Sequence, residues 1–407
     1  MTRSSRSVAT RRVFYIPGYD PIHPRRYREL YRTESAAQAA VSGYDISLSA
    51  RQGEKIYGWN IKGLIDGSDV DTSVDVLVWS DIVRDSMNTS ILATYVQLLR
   101  TAWIYNSTGA LWRLMQLRKG PVIAALYPVA MLLMQLTLAL AVVFCVAALG
   151  AYISDYLAVR LAAVAIGGFI GWQVLRWFKR RDGKLFAYYL MHDYAFGAAT
   201  RGANPPALET RMAEFADAIA QALGSDVDEV LVVGHSSGAH LGVSVLSDLL
   251  RADRVPAQGP AFGFLTLGQV VPMVSFLPEA HRLRADLAYL SIQDGITWVD
   301  VTAPGDGCAF ALCDPVAVSG VAPPNKRWPL VISAAFTQTL SAARWKELRW
   351  RFFRLHFQYL CAFDRPGDYD YFRITAGGLT LGDRYADRTA SKSRIERPVN
   401  RFTSTVP

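Results

Sequence analysis

A serine held between glycines, Gly234-His235-Ser236-Ser237-Gly238, stands where an apolar run, Val230 to Val233, gives way to a helical apolar pattern reaching Leu246. A hydroxyl becomes a competent nucleophile when the backbone pushes it clear of its neighbours and a base can take its proton. Strand, tight turn and helix supply the first condition, because small flanking residues permit a strained turn that projects the side chain at the end of the strand. The N–H groups opening the following helix can then face a developing oxyanion. For the base the chain offers six histidines: His23, His192, His235, His240, His281 and His356. Carboxylates that could orient one stand downstream at Asp300, Asp306 and Asp314. No HExxH or comparable cluster appears, so neither a metal nor another cofactor is expected.

The elements around these residues alternate between strand and helix. Before residue 120, RVFYIPGYDP, YDISLSARQ and VDVLVWSD read as short strands, with Val76 to Trp79 expected as a central strand covered on both faces. After residue 181, Pro205 and Pro206 open a helix whose Leu208, Met212, Phe215, Ile219 and Leu223 recur at helical spacing, and Gly224 ends it. FGFLTLG and ITWVDVTAP follow as strands, separated by the helical EAHRLRADLAYL. Such alternation implies an α/β fold with a doubly wound, mostly parallel sheet. The tail, 385–407, is polar and is expected to be loosely held.

Between the two α/β parts the composition changes. From Gly120 through Ser154 there is no charged residue, a run longer than the roughly 20 residues that cross a bilayer core. A second segment, Tyr156 to Phe178, carries Arg160 and Arg176 only near its ends, where arginine can reach the interface. A transmembrane hairpin over 120–181 is therefore expected, inserted between parts 1–119 and 182–384 of one α/β domain. Closely spaced glycines in AIGGFIG suit a rival reading in which the hairpin oligomerises and the α/β part is structural, although such glycine-rich faces are common. Arg113, Arg118 and Lys119 precede the hairpin and Lys179, Arg180, Arg181 and Lys184 follow it, placing both flanks and the site on the cytoplasmic side of a two-pass protein in the inner, cytoplasmic membrane. Four cysteines without a CxxC pair agree with a reducing compartment. The net charge of +8 suits anionic headgroups, and no zinc-finger, P-loop or RNP motif points to nucleic acid.

The GHSSG motif in its strand–helix setting resembles the elbow of the α/β-hydrolase superfamily of serine esterases and lipases. The resemblance covers most of the chain outside the hairpin, although only the elbow is a specific match. It implies Ser236 as nucleophile and the Ser237 N–H as one oxyanion donor. The second donor of that superfamily follows an early strand; here Pro17-Gly18-Tyr19-Asp20 occupies that place, implying the Tyr19 N–H. Superfamily order, serine then acid then histidine, leaves His356 as base, with Asp306 as acid and Asp314 as the alternative. His356 falls in a helical pattern with Trp345, Leu348, Phe352, Leu355 and Tyr359, where superfamily histidines usually stand on a loop. The implied activity is cleavage of an acyl ester or thioester, with the bilayer as partner and an acyl lipid as substrate. An inactive hydrolase-like scaffold binding a lipid or protein is the alternative. Oligomeric state is not set by the sequence.

Overall fold

The computed structural model describes residues 7–51 and 56–406. Among them the strands form one sheet: β1 (Thr10–Ile16), β2 (Asp45–Ala50), β3 (Gly58–Ile65), β4 (Ser68–Val76), β5 (Glu229–His235), β6 (Ala261–Leu267), β7 (Thr297–Thr302) and β8 (Leu330–Ser333). Their order is β2-β3-β4-β1-β5-β6-β7-β8. From β4 to β8 every pairing is parallel, whereas β3 runs antiparallel to both β2 and β4. The chain's first strand thus sits in the middle, between β4 and the strand that carries GHSSG.

Every residue of β5 is buried. Leu231 and Val233 point into one core with Tyr15 and Leu265, while Val230 and Val232 point into the opposite core with Phe14 and Phe264. A strand covered on both faces needs such an unbroken apolar run. The helix Pro206–Leu223 has the predicted bounds, and its five spaced apolar residues are buried in the second core. At the polar end of β5, Glu229 accepts from Arg11 Nε at 2.5 Å and from the Leu381 N–H at 2.6 Å, so its charge is met although it is buried.

Two expectations are corrected. The central strand is Ser68–Val76, not Val76 to Trp79; Leu77 and Trp79 are buried just beyond its end. It pairs with β3 across a turn at Asp66 and Gly67, both with positive φ, the backbone favoured in tight hairpins. The tail is docked rather than loose. Ile395 exchanges backbone hydrogen bonds with Leu312 and Asp314, Arg284 Nε donates to the Ser404 carbonyl at 2.7 Å, and Val399 is buried.

Two helices, Lys119–Ile153 and Leu157–Arg180, are long and apolar enough to cross a membrane, with mean hydropathy 2.6 and 1.6. Only 17% and 11% of those apolar stretches is buried, which separates them from core helices of a soluble domain. At 1.5 Å per residue they span roughly 52 and 36 Å. They pack as a hairpin through small residues: Gly150 lies against Ala163, Gly167 against Val143 and Gly171 against Ala139, while Gly168 faces open space. The hairpin's base meets the domain where Tyr95 Oη donates to the Leu132 carbonyl at 3.0 Å and Tyr127 Oη to the Leu185 carbonyl at 2.6 Å.

Candidate active site

Ser236 has φ +56°, the left-handed region that a non-glycine residue enters only under local compulsion. Its N–H donates to the Leu267 carbonyl at 2.9 Å, tying the turn to the end of β6. Both motif glycines are required by space. A Cβ at Gly234 would stand 2.8 Å from Ala239 Cα, and one at Gly238 would drive into the Ile16 carbonyl oxygen. The loop after β1 passes so close over the serine that a Cβ at Gly18 would lie 3.0 Å from Ser236 Cβ. That loop carries Tyr19, whose ring is buried against Trp79 and Phe196. Among the described residues, neither the Tyr19 N–H nor the Ser237 N–H has a hydrogen-bond acceptor.

His356 is the last residue of a short helix, Phe352–His356, and is buried. Its Nδ1 stands 2.7 Å from Asp306 Oδ2. Asp306 lies in the loop after β7, where its remaining lone pairs are met by the Tyr359 hydroxyl at 3.0 Å and the Cys308 N–H at 2.9 Å. Burial alone would raise the Asp306 carboxyl; the facing His356 and these donors outweigh it and hold the carboxyl below its ordinary range. A charged acid on Nδ1 fixes the ring so that Nε2 is the free nitrogen. That Nε2 is buried and has no hydrogen-bond partner among the described residues. Gly268, with φ +55°, leaves room for the ring, since a Cβ there would stand 2.9 Å from His356 Cε1.

Ser236, His356, Gly18, Tyr19 and Ser237 all line one cavity of about 1400 Å³. Asp314 does not. It caps a short helix, accepting from the Val316 and Ala317 N–H groups at 3.0 Å each, and pairs with Lys326 at 2.6 Å. Asp300 accepts from the Thr266 hydroxyl at 2.6 Å inside the sheet, where burial pushes its carboxyl up to about 8.

Three residues to which the sequence assigned no role complete the surroundings. His235, between the elbow's glycine and serine, stands with Nε2 3.1 Å from the His356 carbonyl and Nδ1 3.3 Å from the Tyr15 hydroxyl. Burial, and then the neighbouring His356, push it down to about 3, so it is neutral; with the proton on Nε2 it donates to that carbonyl and braces His356 from below. Tyr359 orients the acid. Asp193, on the helix Ala187–Ala199, lines the cavity and accepts no hydrogen bond from a described residue. Burial pushes it up to about 7, only partly opposed by His356.

Asp306, Cys308 and His356 place one potential metal ligand each within 4.8 Å of one another. The set fits a metal poorly: His356 Nδ1 is engaged by the acid, and burial, then the Asp306 charge, drive the Cys308 thiol well above its ordinary value, against the thiolate a metal needs. Compared with known proteins, the chain matches no family model, no curated sequence and no solved structure.

Proposed function

We propose that the chain is a membrane-anchored serine hydrolase of α/β-hydrolase type that cleaves an ester or thioester of an acyl lipid through an acyl-enzyme on Ser236. The observation that carries this reading is the Asp306–His356 pair, whose unengaged Nε2 belongs to the same cavity as a serine raised on a strained turn. Nε2 takes the Ser236 proton as Oγ attacks the acyl carbon, and Asp306 stabilises the imidazolium. The Tyr19 and Ser237 N–H groups, without another acceptor among the described residues, hold the oxyanion. The leaving alcohol or thiol takes the proton from Nε2, and water repeats the sequence to release the acid.

The lipid assignment rests on where the cavity goes. Its wall includes Pro121, at the start of the first hairpin helix, and Asp182 and Phe186, just past the end of the second. An acyl chain leaving the bilayer beside the hairpin would meet Pro121 and Phe186 before reaching Ser236. Labelling by a fluorophosphonate in wild type and its loss in Ser236→Ala tests the nucleophile, and a panel of acyl lipids and acyl thioesters tests the class. An inert, lipid-binding scaffold is the second reading, favoured by the absence of a bond between Ser236 Oγ and His356 Nε2; catalytic hydrogen bonds often tighten only with substrate bound. A wild-type protein that binds acyl lipid but takes no fluorophosphonate would select it. Both flanks of the hairpin belong on the cytoplasmic side: in sealed cells a thiol introduced at Lys184 is expected to be protected and one at Ser154 labelled.

A further inference from the structure

The helix Ile91–Ser107 is apolar on two sides. One side, Ile91, Leu98, Ile104 and Tyr105, is buried against the domain. The other presents Leu92, Val96, Leu99 and Trp103, exposed by 70, 57, 69 and 73%. Their spacing of four, three and four residues keeps them within about 60° of one another around the helix. A soluble helix should turn a polar face to water. This one does not.

We propose that this helix lies flat in the headgroup region of the bilayer beside the hairpin, with Leu92, Val96, Leu99 and Trp103 among the upper acyl-chain carbons. Position is the first argument. Tyr95 binds the backbone of Leu132, and Lys179 Nζ binds the Thr89 carbonyl just before the helix. Ile91 and Leu98 share a core cluster with Leu132 and Leu175 of the hairpin. Leu132 and Lys179 lie about 20 residues from the hairpin's turn, the length that crosses the hydrocarbon core, so the helix is fastened at the level where the hairpin leaves it. Charge is the second argument. Residues 86–154 contain no aspartate or glutamate, while Arg100, Arg113, Arg118 and Lys119 fall within them. That pattern suits an anionic surface and disfavours a second copy of the same basic face.

The inference rests on the hairpin spanning the bilayer and not on the chemistry of Ser236. The test uses the full chain in liposomes of phosphatidylcholine and phosphatidylglycerol whose acyl chains carry bromine either near the headgroup or near the methyl end. Tryptophan emission is recorded for wild type and Trp103→Phe, and resistance to alkaline carbonate is measured in parallel. The expected result is a loss of part of the shallow quenching in Trp103→Phe, with deep quenching and carbonate resistance unchanged. Equal shallow quenching in both, with carbonate resistance kept, overturns the proposal and leaves the hairpin standing. Release of wild type by carbonate without deep quenching overturns the hairpin reading and this inference with it. Interchain disulfides in Leu99→Cys, together with unchanged shallow quenching in Trp103→Phe, assign the face to a second copy and also overturn the proposal.

Discussion

Two carboxyls near His356 are treated in opposite ways by their surroundings. In the loop after β7, Asp306 is buried yet held below the ordinary carboxylate range, because an imidazole, a phenol and a backbone N–H converge on it. On the helix Ala187–Ala199, Asp193 is half-buried, accepts no hydrogen bond from a described residue, and is pushed up to about 7 by desolvation. Burial therefore does not decide the charge of a carboxyl; the donors arranged around it do. Under the proposed function Asp306 carries the charge that stabilises an imidazolium, whereas Asp193 presents a group half protonated near neutral pH.

The largest effects should come from Asp306 and the two residues it serves. Ser236→Ala and His356→Ala are each expected to abolish ester hydrolysis, with the double variant scarcely worse, and Asp306→Asn to lower kcat by roughly 10⁴. Rates and melting temperatures on the same samples check this; a His356→Ala protein that melts lower but keeps its rate breaks the assignment.

Asp193 should act on stability with the opposite pH sign to Asp306. Its folded pKa lies above the unfolded value of 3.8, so the folded state binds the extra proton between 3.8 and about 7. Stability should fall as pH rises through that window, by at most about 1.4 kcal/mol per pH unit, and level off above it. Asp193→Asn should remove the decline, seen as a gain over wild type that grows from pH 4 to pH 7 in urea unfolding. For Asp306, held low, the stabilisation is present above its unfolded pKa and is lost as pH falls through the folded one. Asp306→Asn should therefore cost most near neutrality.

Tyr359→Phe sharpens the contrast by removing one donor. A hydrogen bond to a charged group contributes about 1.5–3 kcal/mol, so kcat should fall by about tenfold or more while KM stays near wild type. A partial loss of the donor set should also move the acid limb of the pH–rate profile, a shift that a merely structural tyrosine would not give. Smallest is Asp314→Ala, which removes a helix cap and the Lys326 partner: about 1–2 kcal/mol in urea unfolding, with kcat unchanged. A collapse of kcat there would return Asp314 to the site.

What the sequence made legible was local. The elbow could be read because strand, glycines and helix are contiguous, and the helix Pro206–Leu223 because its stripe and both ends are written in one stretch. β3 and β4 were not recognised as a pair: Ser68-Asp69-Val70-Asp71-Thr72-Ser73 is too polar to look central, although Asp66-Gly67 signalled the turn. β8 has only four residues, too few for periodicity. The tail misled by composition, since backbone bonds at Ile395 and the side chain of Asn400 hold it rather than a hydrophobic stripe. Chain order singled out His356 and left two acids. Separating Asp306 from Asp314, and seeing His235, Tyr359 and Asp193 at all, required contacts between segments remote in sequence.

The place of β1 in the sheet sets an order of assembly. Thr10–Ile16 is made first, yet its two neighbours are β4 and β5, and β5 emerges from the ribosome only after both hairpin helices. Until then one edge of β1 is unpaired, and the Gly18 loop has no serine beneath it. Closure of the sheet spans more than 200 residues, a non-local pairing of the kind that forms slowly. If the hairpin enters the bilayer as it is synthesised, the turn at Ser236 is completed only on a chain already anchored, and under the proposed function a reactive serine never forms on an untethered precursor.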